Sequence, residues 1–310
     1  MISPATEKLL QFSSLPGLGT GGLRRLVVDV GRIGQALMSE PDRVAQRYAR
    51  PNSSGGKQRP DMWREIIDDC HAMAISVISP LDEIYPSQLR NVEDFPPLLY
   101  VRGNSEALRL PGCAVVGTRE ASRLGLSWAR QIAETVCRNN WSTVSGLALG
   151  IDTAAHEGAL RAEGATVAVL AHGLDRITPT SNRTLAERIL DTGGCLIAEH
   201  APGVPPVRAE YVRRNRIQSG MSNCSVVVES AEEGGAIHQG RFTVKQGRPL
   251  FVVYPSRDTP GVEEFKFGGA QRLIDEVGAK PISSRQELEF ALELSGQSLP
   301  RQEEDSGTLL

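Results

Sequence analysis

From Cys113 onward, short apolar runs alternate with longer stretches whose apolar positions recur at helical spacing. The runs 113–116, 141–144, 166–171, 194–198, 224–228 and 250–253, with a last short one at 281–283, read as strands, and the stretches between them as helices. Short continuous apolar strands separated by helices predict an α/β domain: a mostly parallel sheet covered by helices on both faces, with ligands at the carboxyl ends of its strands.

The pattern before Cys113 differs. Residues 1–49 read as a small helical module, in which Leu15-Pro-Gly-Leu-Gly19 followed by Leu23 and Leu26 has the form of a helix-hairpin-helix turn. Gly17 and Gly19 either expose N–H groups to a DNA phosphate or simply turn the chain. Residues 50–60, polar and rich in Gly, Ser and Pro, read as a linker. Residues 61–290 form the main domain, beginning with a helix around 62–73 and a short strand near 75–78. Residues 291–310 read as a disordered acidic tail.

The stretch from Val144 to His156 reads as strand, glycine turn and helix. Such a turn either only connects two elements or presents backbone N–H groups and the positive end of a helix to an anion. Asp152 suits the start of the helix. His156, four residues on, is a catalytic partner for it or a hydrogen-bonded structural residue. If the sheet is parallel, other turns share the same rim: Gly117-Thr118-Arg119, His172-Gly173 with Asn182 beyond, and Glu199. Arg208, Arg213, Arg214 and Arg216 then precede the next strand, which ends in Glu229. The arginines are a solvated face or phosphate ligands, and the apolar Ile217 and Met221 that follow at once favour the second. Glu229 is expected to pair with an arginine.

Composition narrows the classes. With 310 residues, 40% hydrophobic and 23% charged, the chain reads as a soluble globular protein. The net charge of -3 argues against coating nucleic acid by bulk charge. Five scattered cysteines with no CxxC spacing predict a reducing cytoplasm and no zinc, and Cys113, Cys195 and Cys224, in apolar strand-like surroundings, are expected to be buried. No signal peptide or membrane span is expected.

With these residues laid out, the chain resembles the DNA-processing protein A family, also called Smf. The resemblance covers about residues 80–280. It is carried by Tyr85-Pro-Ser-Gln-Leu89, Val116-Gly-Thr-Arg119, Ser145 through His156, Gly173-Leu-Asp175, Arg213-Arg-Asn-Arg216 with Gly220, and Gln246-Gly-Arg248. It implies an extended Rossmann-like fold that binds single-stranded DNA and loads a RecA-type recombinase in natural transformation. It further implies a cytoplasmic homodimer with no established catalysis, no cofactor and no metal. Carried over residue by residue, the DNA-phosphate pocket comprises Gly117, Thr118, Arg119, Ser145, Gly146, Gly150, Gly173, Asn182, Arg213, Asn215 and Arg216.

Departures from the family pattern leave an alternative. Thr118 replaces a serine, Thr178-Pro179 stands where the family has Tyr-Pro, and Gly234-Gly-Ala-Ile-His-Gln-Gly240 loses two hydroxyls. The alternative is a nucleotide-binding sensor or nucleotide-acting enzyme on the same pocket, in a phage-defence setting. The loop after Val228 has Gly-Gly but lacks the Thr and the correctly spaced Glu of related families that hydrolyse N-glycosidic bonds.

Overall fold

The structure, a computed structural model, describes residues 2–33, 41–49 and 61–297. The linker expected at 50–60 lies outside the described residues. The first helices are α1 (Pro4–Ser13), α2 (Thr20–Ile33) and α3 (Pro41–Tyr48). Next come α4 (Met62–Ala72), β1 (Ile75–Ile78), α5 (Ser87–Arg90) and β2 (Leu99–Gly103). The alternating part opens with β3 (Gly112–Val116), α6 (Arg123–Arg138), β4 (Ser142–Ser145), α7 (Ile151–Arg161), β5 (Thr166–Leu170), α8 (Arg183–Asp191) and β6 (Cys195–Ala198). It closes with α9 (Arg208–Gly220), β7 (Cys224–Val227), α10 (Gly235–Lys245), β8 (Leu250–Val253), α11 (Gly268–Val277), β9 (Lys280–Ile282) and α12 (Arg285–Gln297).

One nine-stranded sheet carries them in the order β1-β2-β6-β5-β4-β3-β7-β8-β9. From β6 to β9 every neighbour is parallel, as the apolar runs predict. The β1–β2 and β2–β6 pairings are antiparallel and extend one side of the sheet. β2 falls within an apolar stretch not assigned as a strand. Its alternation is masked because Leu99, Tyr100 and Val101 are all buried.

The order reverses at β4–β3–β7: strands after β3 step outward one way to β6, then the chain returns to β7 on the far side of β3. In open α/β sheets a crevice forms at such a reversal, outside the carboxyl ends of the strands.

Two observations concern the ends of the main domain. The helical module shares a core with it: Leu9, Leu10, Leu26 and Tyr48 belong to one buried cluster with Leu170, Leu185 and Leu196. Thr6 and Ser3 also donate hydroxyl hydrogen bonds to Asp82 (2.5 Å each). At the other end, residues 291–297 are helical, not tail. Leu288, Ala291 and Leu292 are buried at i, i+3, i+4 spacing. The Glu287 carboxylate accepts from Ser283 N (2.6 Å) and the Ser284 hydroxyl from Glu287 N (3.3 Å), a reciprocal helix start. Cys113, Cys195 and Cys224 are buried and free, as expected, and so are Cys70 and Cys137.

Candidate nucleic-acid interface

The parallel register brings the turns after β3, β4, β5, β6 and β7 to one rim. After β3 the chain runs as close to its neighbours as glycine allows: a Cβ on Gly117 would lie 2.5 Å from the Ile151 side chain and 2.7 Å from the Glu229 carbonyl. Thr118 N donates to that same carbonyl (2.7 Å), and the Thr118 hydroxyl accepts from Glu120 N (3.2 Å). With its neighbours so fixed, Arg119 is left facing solvent, its guanidinium 5.5 Å from the centroid of the Tyr211 ring.

The turn after β4 is held from within. Gly146 N and Ala148 N donate to the Asp152 carboxylate (3.1 and 3.4 Å). Two of the donors that a glycine turn offers an anion are thus taken by the protein's own carboxylate, in the helix-start position expected for Asp152. Leu147 between them sits at φ +57°, an unfavourable region for a side-chain-bearing residue. Asn182 keeps it there, its Nδ2 donating to the Leu147 carbonyl (2.9 Å) and the Thr153 hydroxyl (2.9 Å). Gly150 (φ +75°) lets this turn close on the first one, where a Cβ would come 2.4 Å from the Thr118 carbonyl.

Beneath Gly146 lies the buried Arg214. Its Nη1 donates to the carbonyls of Gly146 (3.0 Å) and Val169, and a Cβ on Gly146 would lie 2.4 Å from the guanidinium. Burial pushes the Arg214 guanidinium down to about 10 and the Asp152 carboxyl up from its ordinary value; in each case the opposite charge of the other works against the shift.

The remaining turns are braced in the same way. Gly173 N donates to the Val204 carbonyl (3.0 Å), and Asp175 accepts from Gly203 N (2.8 Å). Arg216 spans two carboxylates, Nη2 to Glu199 (2.6 Å) and Nε to Asp94 (2.9 Å). Donor atoms of Glu199, His200 and Glu210 lie within 4.8 Å of one another. Each already has a protein partner: Glu199 with Arg216, and His200 Nε2 with Glu210 (3.1 Å). The three side chains are therefore engaged with one another and with Arg216. Glu229, expected to pair with arginine, instead accepts from Ser122 N (3.0 Å), the Ser122 hydroxyl (2.8 Å) and Lys266 N (3.2 Å). His156 is structural: buried, its Nδ1 2.8 Å from the Thr166 hydroxyl, and driven down to about 3 by burial.

The predicted pocket residues thus divide. Arg119 and Arg213 are exposed, and Gly117, Thr118, Gly150 and Asn215 partly so. Ser145, Gly146, Gly173, Asn182 and Arg216 are buried, and their hydrogen-bonding groups face protein. Ser145, for one, donates its hydroxyl to the Val115 carbonyl (2.7 Å). Arg216, expected to meet phosphate, holds its guanidinium 2% exposed between two carboxylates, where it braces the rim. Asn182 likewise positions the turn after β4. Arg214, read with its neighbours as a phosphate ligand, is instead buried on the carbonyls of Gly146 and Val169; Tyr211 was not among the expected residues. For Arg214 a signal existed: it falls three before Ile217 and seven before Met221, on the face those residues bury. Tyr211 carried none.

A family model for the DNA recombination-mediator protein A matches residues 76–292. Protein Smf of Escherichia coli is 38% identical over 224 residues, which span 72% of this chain but 58% of that protein. The X-ray structure of DNA processing protein A from Streptococcus pneumoniae superposes with a TM-score of 0.70 at 29% identity, covering 93% of this chain and 98% of that one. The structure of the Helicobacter pylori DNA processing protein A, solved for its unique single-stranded DNA binding mode, gives a TM-score of 0.61 at 25% identity, covering 72% and 96%.

Proposed function

The chain belongs to the DNA recombination-mediator protein A family, and from that premise we propose that it binds single-stranded DNA along the carboxyl rim of its sheet and mediates recombination without catalysing a reaction. The observation that carries this reading is Arg119: an exposed guanidinium, set on a turn of glycine-close backbone, against a half-buried aromatic ring. A guanidinium binds phosphate oxygens through paired N–H groups, and a ring beside it stacks a base. Arg213, exposed on the second turn of α9, adds a second cation to this end of the helix. Contact of this kind reads the backbone and the stacking face, not base edges, so little sequence preference is expected.

In this reading the strand-bound protein acts as a homodimer in the cytoplasm and hands the strand to a RecA-type recombinase. Among the described residues no helix is long and apolar enough to cross a membrane. The nucleotide-sensor alternative is disfavoured by Asp152, whose carboxylate takes the N–H groups that would cradle a nucleotide phosphate.

The test is fluorescence anisotropy of labelled single- and double-stranded oligonucleotides at two salt concentrations, with mononucleotides as competitors. Preferential, salt-sensitive binding of the single strand is the expected result. No strand binding, with a mononucleotide raising the melting temperature instead, would falsify the reading.

A further inference from the structure

The helical module meets the rim through one short segment. Arg24 of α2 donates from Nε to the Phe95 carbonyl (2.6 Å). The residue before it, Asp94, is the carboxylate that holds Nε of Arg216 on α9 (2.9 Å). A single step along the chain therefore links the module to the arginine-bearing end of α9. The charges confirm the proximity: the Arg24 guanidinium stands in the fields of Arg216, Asp94, Glu199 and Arg213.

Beside this junction a cleft of about 530 Å³ opens between α2, α3 and residues 93–95. That volume is of the order small-molecule and nucleotide sites occupy. Its charged lining is Arg24, Arg25 and Arg47 against Asp29 and Glu93, so cations are in excess. Arg25 is exposed and uses one nitrogen, Nη2, on the Tyr48 carbonyl (3.1 Å). Arg47 is half exposed and touches Asp29 at 3.3 Å. A guanidinium has five N–H donors, so both keep donors for a further acceptor.

We propose that this cleft is a second contact for the same DNA strand, whose backbone runs along the rim from Arg119 past Arg213 and continues to Arg25 and Arg47 on the helical module. The inference rests on the single-strand reading above. Its occupant is fixed by continuity with that interface and by charge: further nucleotides of one strand, held by phosphate. The helical module is then a working arm of the binding surface.

The experiment uses the full chain and two labelled oligodeoxythymidines, one of about 6 nucleotides, enough for the rim, and one of about 20, enough for rim and cleft. The Arg25→Ala/Arg47→Ala variant is expected to bind the short strand like wild type. It should bind the long strand several-fold more weakly. Its salt slope on the long strand should fall by about 1.4, the value for two phosphates on a single strand. The Arg25→Lys/Arg47→Lys variant, which keeps the charges, should regain most of the long-strand affinity. Unchanged affinity and slope on the long strand, in a double-alanine variant with the wild-type melting temperature, overturns the inference and leaves the single-strand reading intact. Equal losses on both strands overturn it as well, since the arginines would then act on the rim itself. Wild-type protein that binds neither strand removes the single-strand reading and the inference together.

Discussion

The Arg119 guanidinium stands 5.5 Å from the centre of the Tyr211 ring. One residue closes the turn after β3 and the other lies in the first turn of α9, so the pair joins two elements separated by about half of the sheet domain in sequence. Cation and ring hold each other in place by an interaction worth roughly 0.5–1 kcal/mol at an exposed site. Both present surface to solvent at the rim, where a phosphate and a base could be met together.

Replacing either partner should therefore cost binding and leave stability alone. Tyr211→Ala is expected to weaken single-strand affinity by about 1–3 kcal/mol, the worth of one stacked base. Tyr211→Phe should retain most of it, because the ring face is what stacks. Arg119→Ala should weaken binding and also lower the salt slope by about 0.7, one phosphate fewer. Anisotropy titrations over a salt series, beside a melting curve for each variant, check all three. A folded Arg119→Ala/Tyr211→Ala double variant that binds like wild type would remove this pair from the interface.

Gly146 is predicted to be intolerant of any side chain. An added Cβ would lie 2.4 Å from the Arg214 guanidinium, whose other side is closed by the Val169 carbonyl. Gly146→Ala must displace Arg214, whose charge favours the buried Asp152 carboxylate. A buried charge that loses its partner costs about 3–5 kcal/mol. Denaturant unfolding should show a loss of that order. A change under 1 kcal/mol would mean that Arg214 has room to move.

The arginines of α9 separate what the sequence makes legible from what it does not. The alternation of short apolar runs with helical stretches is a local signal, and the observed strands follow it within a residue or two. That the turns share a rim follows from parallel pairing alone. Which rim side chains face outward is decided by packing across the sheet. The Arg-Arg-Asn-Arg segment spans more than one helix face, so Arg213 points to solvent while Arg214 and Arg216 are drawn inward. Carboxylates at positions 94, 152 and 199, far away in the chain, determine which arginine is spent on the fold. β2 and the last turns of α12 were missed for a related reason: a strand buried on both faces shows no alternation, and an acidic stretch conceals an apolar stripe at 288, 291 and 292.

His156 sets a pH dependence whose sign follows from burial. Its folded-state value is driven from 6.5 down to about 3, so below pH 6.5 the unfolded chain takes up a proton that the folded chain refuses. Stability from this residue is whole above pH 6.5 and is lost as the pH falls toward 3, by about 1.4 kcal/mol per unit in that window. His156→Gln keeps a polar side chain that does not titrate. The wild type should lose stability more steeply than this variant between pH 6 and 4, by about one proton's slope. Denaturant midpoints taken across that range measure it, and identical slopes would show that His156 takes up its proton without unfolding.

Arg213 and Arg216, three residues apart on α9, should respond in opposite ways to truncation. Arg213 is exposed, and its pairing with Glu210 at 3.6 Å is of the surface kind that contributes about 0–1 kcal/mol. Arg213→Ala should leave the melting temperature near wild type and reduce single-strand affinity. Arg216→Ala removes the cation from the nearly buried Glu199, whose other carboxylate oxygen has no hydrogen-bond partner. The expected cost is about 3–5 kcal/mol of stability, with any loss of binding traceable to the fraction unfolded. Melting curves and anisotropy on the same two preparations distinguish the roles. If Arg216→Ala melts like wild type and yet fails to bind the strand, Arg216 belongs to the DNA contact after all, and the Glu199–Asp94 brace opens to release it.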